Sequence, residues 1–327
     1  MCGFTGFLNK DNAIGVQQRR KQAADMLATI VHRGPDAGDI WQDPDSGCVL
    51  AHRRLSIIDL SAEGAQPMES ASGRYIMAYN GEVYNFRDLR RDCESKGVAF
   101  RGRSDTEVML AVIEAYGLNQ ALQKFNGMFS FALWDRKERI LHLARDRMGK
   151  KPLYVGWAGK TLVFGSELKT LCAHPDFTRA LDKDALCLYM RHSCVPAPQC
   201  IYTNVWSLPA GNRLKIDLNA LSPGRDLSND MEAYWNHTEV MMLARMRMDE
   251  DISDEEAIAE FEELLGKCVE ERMISDVPLG AFLSGGIDSS AVTALMQSRA
   301  AKPVKTYSVG FEEAGFDESA YAAKVAN

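Results

Sequence analysis

Two patterns of apolar and polar residues follow one another along this chain of 327 residues. Within about the first 165 residues, two segments have helical spacing: one runs from Val16 to Val31, and the other starts at Ser104 with a capping box that Glu107 completes. Short apolar segments of strand length make up most of the rest, at residues 3–8, 47–53, 75–79, 128–134, 140–145, 153–157 and 162–164. This mixture predicts an α+β fold in which antiparallel sheets are sandwiched between helices.

A proline-rich stretch, residues 191–211, predicts a loop that closes a first domain of residues 2–215. Residues 216–252 are polar, lack a clear period and end in the acidic run Asp249 to Asp251. They are interpreted as a linker. The third segment, residues 253–327, is predicted to form a separate domain.

The third segment has the pattern of a parallel sheet. A capping box from Ser253 to Glu256 begins a helix, and its apolar face is formed by Ile258, Phe261, Leu264, Leu265, Cys268 and Val269. A strand at 277–283, a glycine-rich turn at 284–290, a helix to about residue 300, a strand at 304–309 and a helix from residue 317 follow. This order predicts the start of an α/β parallel-sheet, Rossmann-like domain.

Composition excludes several function classes. The formal net charge is −7 and no block of Lys or Arg is present, so no nucleic-acid partner is expected. No apolar run approaches the ~18 residues of a membrane span, and the N-terminus lacks the pattern of a signal peptide. A cytoplasmic protein without a membrane partner is therefore predicted. The eight cysteines are scattered without C-x-x-C spacing, which predicts reduced thiols and no metal site.

Cys2 is the first candidate for chemistry, because removal of Met1 would place a thiol and a free α-amine on one residue. The reference pKa values of the two groups are close, about 7.7–8.0 for the amine and about 8.5 for the thiol. The amine could therefore take the proton from the nucleophile, as in other activated thiols. With Met1 in place, the base would be blocked. The alternative is that Cys2 is a small buried apolar residue.

The second candidate is the turn LSGGIDSS, residues 283–290, which lies between a predicted strand and a predicted helix. Backbone N–H groups at such a turn, together with the helix N-terminus, can bind an anion, and glycines allow close approach of a phosphate. An ordinary strand-to-helix turn is the alternative. The string lacks the Gly-Lys-Ser/Thr of a Walker loop. It resembles the pyrophosphate loop of the PP-loop ATPases, which cleave ATP between the α- and β-phosphates.

Five motifs occur in a fixed order in the first domain: CGFTG at residue 2, RGPD at 33, RLSIID at 54, NGEVYN at 80 and SDTE at 104. In this order they resemble the class II glutamine amidotransferase domain, whose fold is the Ntn-type α/β/β/α sandwich. With the phosphate loop behind them, nearly the whole chain is similar to the glutamine-hydrolysing asparagine synthetase family. That resemblance implies glutamine, aspartate and ATP as substrates, Mg²⁺ as a cofactor and a homodimer.

The resemblance also implies roles for residues. Cys2 would attack the side-chain amide of glutamine, while the Asn80 side chain and the Gly81 N–H would stabilise the oxyanion. Arg54, or its neighbour Arg53, would bind the α-carboxylate, and Asp105 assisted by Glu82 would bind the α-ammonium. The remaining pocket positions implied are Leu55, Ser56, Ile57 and Ile58.

In the nucleotide domain, the resemblance implies that Leu283 and Val309 contact adenosine and that Asp288 lies near Mg²⁺. Pyrophosphate would be held by Ser284, Gly285, Gly286, Asp288, Ser289 and Ser290. The ammonia released from glutamine would pass to β-aspartyl-AMP formed from aspartate and ATP.

Several alternatives stay open. The acceptor could be another carboxylate, a sugar or a peptide; a related β-lactam-forming ligase would not need Cys2; and a homologue could be regulatory and non-catalytic. Taken singly, Arg54 fits a surface arginine, Asp105 a first-turn helix residue, and Asn80-Gly81 a hairpin turn. The resemblance implies a nucleotide domain that continues well beyond the position of Asn327. The chain is therefore expected to be C-terminally truncated, to hydrolyse glutamine and to make no asparagine.

Overall fold

The computed structural model describes residues 2–10, 14–246, 252–313 and 317–326. The chain divides into two compact units, Met1–Leu243 and Ala244–Asn327. Met1, Asn327 and the acidic run at the end of the predicted linker lie outside the described residues. Within the described ranges, no helix is both long and apolar enough to cross a lipid bilayer.

The first unit is built from short strands and helices. Its strands are β1 (Gly3–Leu8), β2 (Ala37–Gln42), β3 (Cys48–Arg54), β4 (Met68–Glu69), β5 (Tyr75–Val83), β6 (Gly127–Asp135), β7 (Ile140–Arg145), β8 (Tyr154–Ala158), β9 (Thr161–Gly165), β10 (Val205–Ser207), β11 (Asn212–Asp217) and β12 (Met231–Ala233). Its helices are α1 (Val16–Ala28), α2 (Phe86–Ser95), α3 (Asp105–Tyr116), α4 (Leu118–Lys124), α5 (Leu168–Cys172) and α6 (Lys183–His192), and α7 (His237–Arg245) crosses the boundary between the units.

The described strands of this unit form two antiparallel sheets. One has the order β10-β8-β9-β1-β3-β2 and the other β12-β11-β7-β6-β5-β4. In the first sheet β1 is central, paired with β3 on one side and β9 on the other. The residue that precedes β1, Cys2, is thereby placed at the end of a strand that is hydrogen-bonded along both edges.

Alternation along the strands of the first sheet directs their side chains into two different buried clusters. Phe4 and Leu8 of β1 belong to one buried cluster with Trp134 of β6 and Leu143 of β7, which lies between the two sheets. Phe7 belongs to a second cluster, in which the first sheet packs against apolar residues of α1 and α5, while α3 packs on β5 of the second sheet. The layers are therefore helix, sheet, sheet and helix, which confirms the predicted α/β/β/α sandwich.

The structure contains elements that the sequence did not predict. Among the helices these are α2, α4, α5, α6 and α7. The unpredicted strands lie at or next to sheet edges. The proline-rich loop contains β10, which pairs with β8, and the predicted linker contains β12 and the end of β11, which join the second sheet. β10 and β12 have three residues each, too few for a period to be recognised. β2, an edge strand with three exposed residues, was also not predicted. Helix α1 ends at Ala28, before a 3₁₀ turn at Val31–Arg33.

Two local predictions have different outcomes. The capping box at Ser253 forms completely, because Ser253 and Glu256 each accept a hydrogen bond from the other's backbone N–H. At Ser104 only half of it forms: the Ser104 hydroxyl accepts from the N–H of Glu107, whereas the Glu107 carboxylate accepts from the backbone N–H groups of Arg101 and Gly102.

The second unit contains α8 (Asp254–Glu271), β13 (Gly280–Phe282), α9 (Ile287–Arg299), β14 (Lys305–Tyr307) and α10 (Ser319–Ala326). β13 and β14 pair in parallel, with Gly280 opposite Lys305, and α9 connects them. This β-loop-α-β order confirms the predicted start of a parallel sheet. On the apolar face of α8, Val269 is buried, whereas Ile258, Phe261 and Leu264 are exposed.

Candidate active site

The thiol of Cys2 lies against the backbone of Leu55, the first residue after β3. The Leu55 N–H donates to Sγ at 3.3 Å, and Sγ lies 3.5 Å from the Leu55 carbonyl oxygen. Burial raises the pKa of the Cys2 thiol, and the Leu55 N–H and the Arg54 charge only partly oppose it. The Cys2 thiol is therefore neutral at rest, and it would need a base to react as a nucleophile.

Arg54, the last residue of β3, is held by the loop that follows it. Its Nη1 donates to the Ser61 carbonyl at 2.9 Å, and its Nη2 donates to the Asp59 carbonyl. The Asp59 carboxylate fixes the loop in turn, since it accepts from the backbone N–H groups of Ser61 at 3.1 Å and Arg103 at 2.6 Å. The neighbouring Arg53 packs its side chain over Gly38 instead.

Asn80 and Gly81 lie within β5, so the hairpin-turn alternative is wrong. Asn80 is 1% exposed, and neither atom of its side-chain amide has a hydrogen-bond partner within the described part of the chain. Leaving a buried amide without partners costs about 1–3 kcal/mol, so a ligand that forms hydrogen bonds with Asn80 would remove this cost. At Gly81, any side chain would bring its Cβ to 2.1 Å from the Met128 carbonyl oxygen, so only glycine fits against β6 here.

Asp105, the first residue of α3, is buried. Its Oδ2 accepts hydrogen bonds from the Tyr79 hydroxyl at 2.8 Å and the Val83 N–H at 3.0 Å. Burial raises the pKa of Asp105, although both hydrogen bonds oppose that effect. Burial also raises the pKa of Glu82, and the nearby charge of Asp105 adds to it. Two carboxyl groups in this position favour a cationic ligand.

These side chains meet in one cleft of about 580 Å³, counting its open mouth. Of the ten residues predicted for the glutamine site, nine line it: Cys2, Arg54, Leu55, Ile57, Ile58, Asn80, Gly81, Glu82 and Asp105. The described lining does not include Ser56, whose backbone N–H donates to Asp36 at 2.8 Å.

The cleft also contains residues that sequence reasoning missed, namely Gly64, Gln66, Tyr79, Ser104, Thr106, Met128 and Lys151. Tyr79 directly precedes Asn80 in β5, so its position beside a motif was a usable signal. Lys151 is 2% exposed, and burial lowers its pKa while Glu82 opposes the shift. Its sequence context gave no indication of a buried lysine.

The glycine-rich turn of the second unit is held by hydrogen bonds that its own serine side chains make. The hydroxyls of Ser284 and Ser289 lie 2.9 Å apart, and the Ser289 hydroxyl also donates to the Gly286 carbonyl at 3.2 Å. Gly286 is the N-cap of α9 and receives no side-chain cap. The side-chain oxygen of Ser290 is buried without a partner among the described residues. A helix N-terminus with an unpartnered hydroxyl beside it fits a phosphate group.

The other residues predicted for the nucleotide site lie near this turn and differ in position and exposure. Leu283 is buried and pairs with β14 through its N–H, which donates to the Tyr307 carbonyl at 2.8 Å. Val309 follows β14 and is 62% exposed. Asp288 lies in the first turn of α9. The described residues contain no group of three or more His, Cys, Asp or Glu side chains placed to bind a metal. One carboxylate beside nucleotide phosphates is nevertheless a usual magnesium environment.

A cysteine directly before a central strand, in an α/β/β/α sandwich, is typical of the Ntn class of folds. A family model described as a glutamine amidotransferase domain matches residues 1–235, and the chain belongs to this family. A second family model, described as asparagine synthase, matches residues 260–327.

Known proteins agree with this assignment. Glutamine-hydrolysing asparagine synthetase 1 of Bacillus subtilis is 35% identical over 97% of this chain and 47% of its own length. A putative glutamine-hydrolysing asparagine synthetase of Methanocaldococcus jannaschii is 33% identical over 98% of this chain and 62% of its own. This chain thus spans about half of the length of such relatives.

One solved structure, titled as the allosteric regulatory enzyme of purine biosynthesis, shares the fold. It has a TM-score of 0.51 and 16% sequence identity, and the match covers 96% of this chain and 67% of the other.

Proposed function

We propose that the first unit hydrolyses glutamine to glutamate and ammonia, with Cys2 as the nucleophile. The observation that carries this proposal is the buried, unpartnered amide of Asn80 in the same cleft as the Cys2 thiol. A tetrahedral oxyanion forms when a thiol attacks an amide carbon, and fixed donors stabilise it. The Asn80 Nδ2 and the Gly81 N–H are the donors proposed for that charge.

The reaction needs one proton taken from the thiol and one delivered to the leaving nitrogen. The α-amine of Cys2, once Met1 is removed, takes the thiol proton and returns it to the nitrogen as ammonia leaves. The product is a thioester between Cys2 and the glutamyl group. Water then attacks the thioester, glutamate leaves, and the thiol is restored.

The two ends of the substrate are proposed to be recognised by opposite charges. Arg54 presents a guanidinium to the α-carboxylate, and the loop carbonyls of Asp59 and Ser61 fix its orientation. Asp105, assisted by Glu82, accepts the α-ammonium. Leu55, Ile57 and Ile58 line the cleft beside the nucleophile.

We further propose that the ammonia serves asparagine synthesis, in which aspartate is activated by ATP as β-aspartyl-AMP. The asparagine synthase match over residues 260–327 and the names of the relatives support this. Residues 284–290 would hold pyrophosphate, Leu283 and Val309 would contact adenosine, and Asp288 would lie beside Mg²⁺. A cytoplasmic homodimer without nucleic-acid or membrane partners is part of the same proposal; sedimentation would test the dimer.

An electrophilic glutamine analogue tests the nucleophile. It is expected to label Cys2 and to abolish glutamate release, and Cys2→Ala is expected to lose at least about 10³-fold in kcat. Cys187→Ala, in the exposed cysteine of α6, is the matched control and should behave as wild type. Glutamate release by Cys2→Ala at the wild-type rate would refute the proposal. Asparagine formed in the same assay, with ATP and aspartate present, would contradict the expectation that this chain makes none.

A further inference from the structure

Three basic side chains surround one carboxylate next to the strand that Cys2 precedes. Glu167 follows β9 and precedes α5, and its Oε1 accepts from Arg33 Nε and from His32 Nε2, the latter at 3.0 Å. Its Oε2 lies 2.9 Å from Lys169 Nζ. The proposed reaction assigns none of these four side chains a role.

The position of Glu167 is fixed by the backbone on both sides. Its neighbour Ser166 exchanges two hydrogen bonds with Phe4 of β1: the Ser166 N–H donates to the Phe4 carbonyl at 2.9 Å, and the Phe4 N–H donates to the Ser166 hydroxyl at 3.1 Å. On the other side, the Glu167 carbonyl accepts from the N–H of Thr170 in the first turn of α5. The carboxylate is thus attached to a rigid part of the sandwich.

Arg33 connects this carboxylate to the nucleophile residue. Its side chain lies over Gly3, where a Cβ would come within 2.7 Å of Arg33 Cδ. Its Nη1 donates to the carbonyl oxygen of Cys2 at 3.4 Å, while its Nε is bound by Glu167. The guanidinium therefore joins the backbone of Cys2 to the end of β9, although the two lie far apart in sequence.

The partners of Glu167 keep its carboxylate ionised. Burial alone would raise its pKa, but hydrogen bonds from Lys169, Arg33 and His32 lower the pKa of Glu167 to about 2. The carboxylate is thus ionised at neutral pH and can orient Arg33 through a charge-assisted hydrogen bond.

We propose that Glu167 is a positioning residue for the N-terminal nucleophile: it fixes Arg33, and Arg33 fixes the backbone carbonyl of Cys2. The amine of Cys2 is bonded to its Cα and the thiol to the adjacent Cβ, so holding this carbonyl restricts the direction in which both groups point. Because small errors in the placement of reacting groups are costly, releasing this contact lowers the rate of attack. The inference rests on the proposed glutamine hydrolysis.

Glu167→Ala is expected to lower kcat for glutamine hydrolysis roughly 10–100-fold, with KM changed much less, because the substrate contacts stay in place. Glu167→Gln keeps an acceptor for Arg33 Nε without the charge and should fall between Glu167→Ala and wild type. The control is Lys169→Met, which removes a cation bound to the other carboxylate oxygen and should keep the wild-type kcat. A thermal melt establishes that each variant is folded; if Glu167→Ala does not fold, the isosteric Glu167→Gln carries the test.

The alkylation rate of Cys2 by iodoacetamide, read by mass spectrometry, gives a second measurement that does not depend on turnover. The inference expects this rate to change in Glu167→Ala and Glu167→Gln but not in Lys169→Met. Wild-type kcat and wild-type alkylation in both Glu167 variants would overturn it, as would an equal loss in Lys169→Met, which would indicate an effect of overall charge. If the wild-type protein releases no glutamate, the proposed function fails, and the alkylation rates still decide the role of Glu167.

Discussion

In the first unit, alternate residues of β1 and β3 enter two separate cores, whereas in the second unit α8 turns much of its apolar face to solvent. Leu50 and Val49, neighbours in β3, are both fully buried on opposite sides of one sheet. Phe261 of α8 is 65% exposed. The two candidate sites differ in the same way: one depends on tertiary packing, and the other on hydrogen bonds within a single turn.

This difference follows from what each site must hold. An unpartnered amide such as that of Asn80 stays in a desolvated position only if a packed core holds it there. A phosphate loop requires only backbone N–H groups at a helix N-terminus and nearby hydroxyls, which residues 284–290 supply locally. Pairs of variants, one in each unit, test whether the two candidate sites differ in this way.

The largest effect is expected from removal of the oxyanion donor. Asn80→Ala should lower kcat for glutamine hydrolysis about 10²–10³-fold, because the developing negative charge loses a fixed donor. ATP binding by the same variant, measured by calorimetry, should not change. Its counterpart Ser290→Ala should weaken ATP binding and leave glutamate release intact. If Asn80→Ala kept the wild-type kcat, Asn80 would have no part in the oxyanion site.

The next largest difference between the two units is expected in the free energy of unfolding of variants that lose an apolar side chain. Leu50→Ala is expected to lower the free energy of unfolding by about 3 kcal/mol, since it opens a cavity between the two sheets. Phe261→Ala should change it by no more than about 0.5 kcal/mol. Urea denaturation followed by circular dichroism measures both. A large loss in Phe261→Ala would mean that another surface covers this face of α8 in solution.

A smaller effect is expected when a glycine that packs against a residue of the candidate glutamine site is replaced by alanine. A Cβ at Gly64 would lie 2.2 Å from Arg54 Nη2, so Gly64→Ala should displace the guanidinium and raise KM for glutamine roughly tenfold. Gly15→Ala, where a Cβ meets nothing within 4 Å, is the control.

The counterpart of Gly64 in the second unit is Gly285. Its φ is +82°, and a Cβ there would lie 2.6 Å from the Tyr321 backbone of α10. Gly285→Ala should weaken ATP binding without a change in KM for glutamine. An equal rise in KM in Gly64→Ala and Gly285→Ala would contradict the separation of the two sites.

The smallest expected effect is a shift in the pH dependence of KM for glutamine. Burial raises the pKa of Asp105, so KM for glutamine should rise as the pH falls through that raised pKa and the carboxylate loses its charge. The Tyr79 hydroxyl opposes the shift. Tyr79→Phe should therefore raise the pKa of Asp105 further and move the acid limb to higher pH, as KM measured across pH would show. An acid limb that did not move would exclude this hydrogen bond as a control on Asp105.

Sequence alone was sufficient wherever a signal was local. Short apolar segments predicted β1, β5 and β6, and the motif order brought together Cys2, Arg54, Asn80 and Asp105, which the structure places in one cleft. Features that depend on contacts between residues far apart in the sequence could not be predicted. β12 forms because β11 is there to pair with it, and Lys151 is buried by the packing of the cleft. The link from Glu167 through Arg33 to Cys2 spans more than 160 residues and follows no sequence period.

The central position of β1 has a practical consequence for anyone who produces this protein. The strand begins one residue after Cys2 and is paired on both sides, so the backbone on the C-terminal side of Cys2 is held in place. Any peptide left in front of Cys2 would also convert its amine into an amide, which does not accept a proton at neutral pH. An affinity tag therefore belongs at the other end of the chain, or before a protease site whose cleavage leaves cysteine as the first residue.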